Sequence, residues 1–219
     1  MKSESEIGQN HPQSGNYATL DSHLWADVTY PLGAHYRGDS VTFAVYSKNA
    51  SQILLEIYER PTGENAKYDY RLTKNPNDDM WRAKIAGIGH GSYYAFRCWG
   101  PNWQFDQKWQ RGHSNAGFRA DVDDFGHRFN PNKVLFDPYA RELSHDLETP
   151  AMIAAGENAG MYATGGRNYK GVIQRQYDTG KWSPKGIVIA PDGTSTGTRP
   201  RLGSEKAIIY LDFPVDKRP

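Results

Sequence analysis

Three tryptophans in one short stretch are the residues best suited to holding a ligand. Trp99, Trp103 and Trp109 lie there among polar residues that include Asn102 and Lys108. Flat aromatic rings stack on the apolar faces of sugar rings, while amide and ammonium groups bind the hydroxyls around the rim. The stretch therefore predicts a carbohydrate-binding surface made of these five residues. The alternative is that Trp99 and Trp103 serve only to pack against other parts of the protein.

The acidic residues do not form an evident catalytic pair. Hydrolysis of a glycosidic bond needs two carboxylates held about 5–10 Å apart. Asp121, Asp123 and Asp124 are close in sequence, but the stretch from Gly112 to Arg128 is rich in Gly, Asp, Asn and His, which predicts a loop. Nothing in this pattern orients the three carboxylates, so we interpret them as solvated or calcium-binding groups of the surface. We expect no catalysis by this chain alone.

Charge and cysteine content exclude several other classes of function. The net charge is +1 and the charges are interspersed, whereas phosphate binding needs a clustered basic face, so nucleic acid is not an expected partner. No apolar run approaches the roughly 20 residues of a membrane span. Cys98 is the one cysteine, which excludes an intrachain disulfide and a cysteine metal cluster. Between Phe96 and Trp99 it is predicted to be a small buried apolar residue.

Short alternating segments predict the elements that must position these side chains. Apolar residues recur at every second position, between turns rich in Gly, Pro and Asn, in Val41–Tyr46, Gln52–Tyr58, Tyr68–Leu72, Trp81–Ile85 and Ser92–Trp99. Strands of this length and spacing, without a helical period, are typical of an antiparallel β-sandwich. Alternation places Tyr94, Phe96 and Cys98 on one face of the last strand, and Arg97 and Trp99 on the other. The fold class is therefore predicted as all-β, an antiparallel β-sandwich.

The stretch from Gly126 to Asp146 separates this strand-rich part from a long irregular one. Its apolar run Val134–Phe136 stops at Asp137-Pro138, because proline cannot donate to a sheet, and predicts about one short strand. From Leu147 to Lys185 the chain has many glycines and no sustained period. A loop of that length is expected to lie against another surface.

Several motifs resemble the N-terminal part of isoamylases and glycogen-debranching enzymes, in particular the secreted bacterial isoamylases. The motifs are Trp99-Gly100-Pro101-Asn102-Trp103, Asn130-Pro131-Asn132-Lys133, Asp137-Pro138-Tyr139-Ala140 and Pro184-Lys185-Gly186-Ile187-Val188. They occur in the family's order, and the resemblance runs from about Leu32 to Tyr210.

The resemblance implies a fold and a domain organisation. The sandwich would be immunoglobulin-like, of the early-set type found in carbohydrate-binding module family 48, with a long irregular C-terminal extension. Residues 1–27 are predicted to be a flexible arm, residues 28–140 the sandwich, and residues 141–219 an irregular connector towards a catalytic barrel. The run Ile208-Ile209-Tyr210 would correspond to the first strand of a family 13 glycoside hydrolase barrel, whose catalytic acids lie on later strands that this sequence does not include.

The resemblance also implies roles for single residues. Trp103 approximately matches a loop tryptophan that binds glucan in family 48 modules, whereas Tyr58-Glu59-Arg60-Pro61 occupies the region of a second stacking tryptophan. Asp146 would be one ligand of a structural Ca2+. Because Ca2+ takes six to eight oxygen ligands, no cofactor is expected unless a barrel supplies the rest.

These observations leave three hypotheses open. The first is a non-catalytic module that binds or positions α-glucan, such as glycogen or starch, or braces a glycoside hydrolase catalytic barrel. The second is a truncated part of an α-1,6-debranching hydrolase that is inactive alone, and the third is a protein-interaction sandwich. The polar N-terminal segment predicts a cytoplasmic protein if Met1 is the native start, and an extracellular or periplasmic one if a leader was removed.

Overall fold

Two antiparallel sheets pack face to face, which confirms the all-β sandwich. The computed structural model describes residues 18–19, 31–75, 77–112, 114–147, 149–155, 165–166, 171 and 174–191. Within these residues the strands are β1 Ala18–Thr19, β2 Gly33–Tyr36, β3 Ser40–Tyr46, β4 Gln52–Tyr58, β5 Tyr68–Arg71, β6 Thr73–Lys74, β7 Met80–Ala86, β8 Tyr93–Trp99 and β9 Gly186–Ile187, and the helix is α1 Pro150–Ala155. One sheet has the order β1-β7-β3-β2, with β6 also paired to β7, and the other has the order β5-β4-β8-β9.

Parts of the predicted organisation lie outside the described residues. Of the predicted arm, residues 1–27, only Ala18 and Thr19 are described, and they pair with Ala86 and Ile85 of β7. The predicted barrel-strand run Ile208-Ile209-Tyr210 also falls outside the described ranges.

The core lies between the sheets, on the faces that the alternation predicted. Phe43 of β3, Leu55 of β4 and Phe96 of β8 point inward and are at most 2% exposed. The ring of Tyr94 meets that of Phe43 edge to face at 5.0 Å, joining the two sheets. Each such side chain contributes about 1.5–3 kcal/mol on burial, so this layer supplies the main stabilisation of the fold.

The outer face of the second sheet is covered as well, which the alternation did not predict. Leu54 and Glu56 of β4 and Arg97 and Trp99 of β8 point away from the core, yet none is more than 2% exposed. The loop of residues 100–132 and the segment of residues 174–185 lie over them. The side chains that would otherwise form a solvated sheet face thus become a second interior.

A network of charges fills this second interior. Glu56 accepts hydrogen bonds from Arg97 Nε at 2.6 Å and Arg111 Nε at 2.8 Å, and from the Tyr58 hydroxyl. Burial alone would raise the pKa of Glu56, but the two guanidinium groups outweigh it and hold that pKa well below its ordinary value. The carboxylate is therefore ionised and fully paired.

Asp178 ties the distant segment of residues 174–188 to this network. Its carboxylate accepts from Arg97 Nη2 at 2.9 Å and from the Gly112 backbone N–H at 3.0 Å. Farther along, β9 pairs with β8, and Val188 is completely buried in the core. A stretch that the sequence analysis assigned to the connector thus contributes a strand, a core residue and an ion-pair partner to the sandwich.

Gly186 provides a test of how tightly residues 174–188 pack against the sheet. An added Cβ would lie 2.6 Å from Cζ and 2.9 Å from the hydroxyl oxygen of the buried Tyr94. We therefore expect Gly186→Ala to lower the free energy of unfolding by about 1–3 kcal/mol, because overpacking forces the core to shift. Urea unfolding followed by tryptophan fluorescence measures the change.

Gly89→Ala is the matched control, since no heavy atom beyond those of Gly89 and its two chain neighbours lies within 4 Å of a Cβ added there. It should change the free energy of unfolding by less than about 0.5 kcal/mol. Equal unfolding midpoints for the two variants would show that residues 174–188 do not pack on the sheet as described.

Lys185 predicts a pH dependence of stability. Its Nζ is buried and donates to the Gly180 carbonyl at 2.7 Å, and burial lowers the pKa of Lys185 to about 7. Burial lowers the pKa of Lys133 to about 7 as well. Between about pH 7 and pH 10 the unfolded chain therefore binds more protons than the folded one, and the free energy of unfolding rises with pH. Each lysine contributes at most about 1.4 kcal/mol per pH unit.

Above about pH 10 the trend reverses, because burial raises the pKa of Tyr94 and the folded state then holds the extra proton. Urea unfolding at pH 7, 8 and 9 should show a smaller slope in Lys185→Met than in the wild type. Lys181→Met, at an exposed position in the same segment, should keep the wild-type slope. A slope unchanged by Lys185→Met would contradict the assignment.

Candidate functional site

The predicted tryptophan surface is largely an interior. Trp99 is 0% and Trp103 1% exposed. The Trp99 ring meets Phe105 at 5.3 Å and Trp109 at 5.1 Å, both edge to face, and Trp103 donates from Nε1 to the Ala116 carbonyl at 2.8 Å. In this structure neither ring has a face open to a ligand. The contacts of both are those of the packing alternative.

Asn102 holds the loop together rather than facing solvent. Its amide nitrogen donates to the carbonyls of Ala120 at 3.0 Å and Phe129 at 2.9 Å, and its oxygen accepts from the Phe129 N–H at 2.8 Å. The residue is 1% exposed. One side chain thus fixes both the position and the direction of the chain at Phe129.

Lys108 and Trp109 are the two predicted residues that solvent reaches. Lys108 is exposed, and Trp109 is partly exposed. The guanidinium of Arg97 lies 5.4 Å and that of Arg111 6.0 Å from the Trp109 ring, as cation–π contacts. The structure therefore places Trp99 at the end of β8 and the other four predicted residues in the loop that follows it, but only Lys108 and Trp109 offer any accessible surface to a ligand there.

The interpretation of Asp121 and Asp123 as unoriented groups was wrong. Asp121 accepts from Arg175 Nε at 2.7 Å, which links the loop to the segment beyond residue 174. Asp123 accepts from the backbone N–H groups of Phe125 at 3.0 Å and His127 at 2.9 Å, and lies 2.8 Å from the His127 ring nitrogen Nδ1. Desolvation raises the pKa of Asp123, but the hydrogen bonds from His127 and Phe125 outweigh it and lower that pKa.

The predicted calcium ligand Asp146 is exposed. The described residues include no group of three or more His, Cys, Asp or Glu side chains that could hold a metal ion. A calcium site at Asp146 therefore stays a prediction that depends on ligands from elsewhere. Within the same ranges, no helix has the length and hydropathy of a membrane span.

A row of three rings leads out of this loop into solvent, and the sequence analysis did not single it out. The His127 ring lies 6.2 Å from Phe125 and 6.2 Å from Phe129, with interplanar angles of 44° and 36°. Phe125 is 87% exposed, the highest value among the large apolar side chains that the structure describes. The signal was present in the sequence as aromatic residues at every second position.

An apolar groove of about 640 Å³ begins where the row of rings ends. Phe129 and Arg128 line it at that side, and Leu135, Phe136 and Leu147 line its apolar wall. Leu135 and Leu147 are both 49% exposed. The groove is thus an exposed apolar surface next to a row of aromatic rings.

The predicted strand Val134–Phe136 forms one wall of this groove but pairs at a single residue. Leu135 and Phe96 exchange hydrogen bonds of 2.8 and 2.9 Å as an isolated bridge, while β9 occupies the same edge of β8 at Tyr93 and Tyr94. The two segments therefore share one strand edge, which leaves each only a short pairing.

Cys98 lies half-buried at the same groove and packs against the core, close to the prediction of a small buried residue. Burial raises the pKa of the Cys98 thiol to about 12. The thiol is therefore protonated at neutral pH and is not a nucleophile.

Comparison with known proteins gives this architecture a family. The sequence model of carbohydrate-binding module 48 (isoamylase N-terminal domain) matches residues 31–140. The chain is 39% identical over 189 residues to an isoamylase of a Flavobacterium species, covering 82% of this chain and 23% of the relative. It is 28% identical over 181 residues to a glycogen debranching enzyme of Salmonella typhi, covering 82% of this chain and 22% of the relative.

The chain therefore spans about a quarter of the length of the curated relatives it matches. Apo pullulanase from Klebsiella pneumoniae, a solved structure, aligns with a TM-score of 0.35 and 20% identity over 56% of this chain and 12% of the pullulanase. A likeness this low adds nothing to the assignment. The family match covers strands β2 to β8 and half of the chain, so the chain belongs to the carbohydrate-binding module 48 family, the isoamylase N-terminal domain.

Proposed function

We propose that this chain is a non-catalytic accessory module that binds α-glucan, such as glycogen or starch. The observation that carries the proposal is the family match over residues 31–140, because modules of this family are carbohydrate-binding. The carboxylates support it, since hydrolysis needs two acids facing one bond. Among the described residues, Glu56, Asp121 and Asp178 are each engaged by arginine instead.

Retention by polysaccharide tests this function. In a native gel that contains glycogen or amylopectin, we expect the protein to migrate more slowly than in the same gel without polysaccharide. Hydroxyethylcellulose, a soluble β-glucan, is the control and should leave the mobility unchanged. Unchanged mobility with both α-glucans would refute the function and favour the protein-interaction alternative. Trp103→Ala is a poor probe, because loss of a buried ring would destabilise the fold itself.

A second candidate function is bracing a glycoside hydrolase catalytic domain, and the apolar groove favours it. Leu135 and Leu147 are 49% exposed, Phe136 is 37% exposed, and all three line one groove. Exposed apolar surface that is grouped in this way is typical of a docking face. Since the matched relatives are about four times as long as the matched region, the occupant we propose is the catalytic domain of a debranching enzyme.

Leu135→Asp tests this docking. The introduced charge would lose its solvation against an apolar partner, so we expect binding to a separately supplied isoamylase catalytic domain to weaken at least about tenfold. Analytical ultracentrifugation of the mixture measures the complex. Tyr46→Asp, at a position 55% exposed on β3 in the other sheet, should bind as the wild type does.

Debranching activity on amylopectin in the same mixtures separates bracing from the truncated-enzyme hypothesis. Activity that appears only when the complex forms would mean that the chain completes an enzyme. A complex without that dependence would mean that it only braces one. Equal affinity of wild type and Leu135→Asp would show that the groove is not the docking face.

A further inference from the structure

We propose that Phe125, His127 and Phe129 form the platform on which the α-glucan chain stacks. This inference rests on the proposed function and names the site for it. The centroid of the His127 ring lies 6.2 Å from that of Phe125 and 6.2 Å from that of Phe129; Phe125 is 87% exposed, and the other two residues are partly exposed. A single exposed ring would need no explanation, but three neighbouring rings in one row offer adjoining surfaces for successive sugar rings.

The platform is held in place before any ligand arrives. The Asp123 carboxylate accepts from the N–H groups of Phe125 and His127, and Gly126 closes the turn with its N–H bonded to the Asp123 carbonyl at 2.9 Å. The φ angle of Gly126 is 83°, which favours glycine at this position. Because the backbone is already ordered, binding costs little additional conformational entropy.

The other end of the row is fixed by the interior of the loop. Asn102 makes hydrogen bonds to both the N–H and the carbonyl of Phe129, at 2.8 and 2.9 Å. Phe129 also packs against the buried cluster of Leu54, Trp99 and Trp103. The row therefore stands on a buried base, so Phe125 projects from a defined position rather than from a free loop.

The geometry favours a curved ligand with hydroxyl groups. Successive rings are tilted by 44° and 36°, so their faces do not form one plane. α-Linked glucans curve along the chain, whereas β-1,4-linked glucans are flat. Exposed Asp124 precedes Phe125 in the sequence, and exposed Arg128 lies between His127 and Phe129; both supply charged groups for sugar hydroxyls.

The test compares matched variants for binding of maltoheptaose by isothermal titration calorimetry, with retention in glycogen gels beside it. We expect Phe125→Ala to weaken binding about tenfold and Phe125→Tyr to keep most of it, because tyrosine preserves the ring face. Tyr46→Ala removes an exposed ring elsewhere and should bind as the wild type does. Because Phe125 is 87% exposed, its loss should leave the unfolding midpoint unchanged.

The outcomes distinguish failure of this inference from failure of the proposed function. A wild type that binds neither maltoheptaose nor glycogen refutes the proposed function, and the platform with it. A wild type that binds, together with Phe125→Ala of equal affinity, refutes the platform alone. Weaker binding by Lys108→Ala together with unchanged binding by Phe125→Ala would place the site at the residues predicted from the sequence instead.

Discussion

The buried contact between Glu56 and Arg97 is the interaction on which the rest of the structure depends. Both side chains are inaccessible to solvent, on the face of the sheet that would otherwise be wet. An uncompensated charge at such a position costs about 3–5 kcal/mol, so each partner requires the other. Arg97 also donates to the Pro131 carbonyl at 2.8 Å and to Asp178 at 2.9 Å. The two segments that cover the sheet are therefore held by the same guanidinium group.

The sandwich could be predicted from local alternation, but its second interior could not. Phe43, Leu55 and Phe96 share a period of two with their neighbours, and that period fixes which face is buried. Glu56 and Arg97 occupy the opposite positions, where polar residues normally indicate a solvated face. The residue that binds the covering segment to this face is Asp178, 81 positions beyond Arg97 in the sequence. No local pattern connects residues at that distance.

The candidate site shows a different limit of sequence reasoning. Trp99 and Trp103 have the residue types of a sugar platform, but the same types form an edge-to-face interior, and only burial distinguishes the two. Phe125 and His127 lie in a stretch whose glycines and aspartates indicate a loop. In this loop the backbone is held by the Asp123 side chain and not by pairing with a neighbouring strand. The aromatic residues at every second position were therefore visible in the sequence, but no predicted strand indicated where they would lie.

The buried tryptophan motif holds the row of rings in place. A Cβ at Gly100 would lie 2.2 Å from the Phe129 ring, so the glycine of Trp99-Gly100-Pro101-Asn102-Trp103 is what lets that ring sit against the loop. Asn102, two positions on, fixes the Phe129 backbone from the same side. The motif thus supports the exposed rings indirectly. Its tryptophans form the buried base, and its glycine and asparagine fix the position of Phe129. Phe129 also lines the groove. The contacts of Phe129 with Gly100 and Asn102 therefore set the direction of the row relative to the apolar surface.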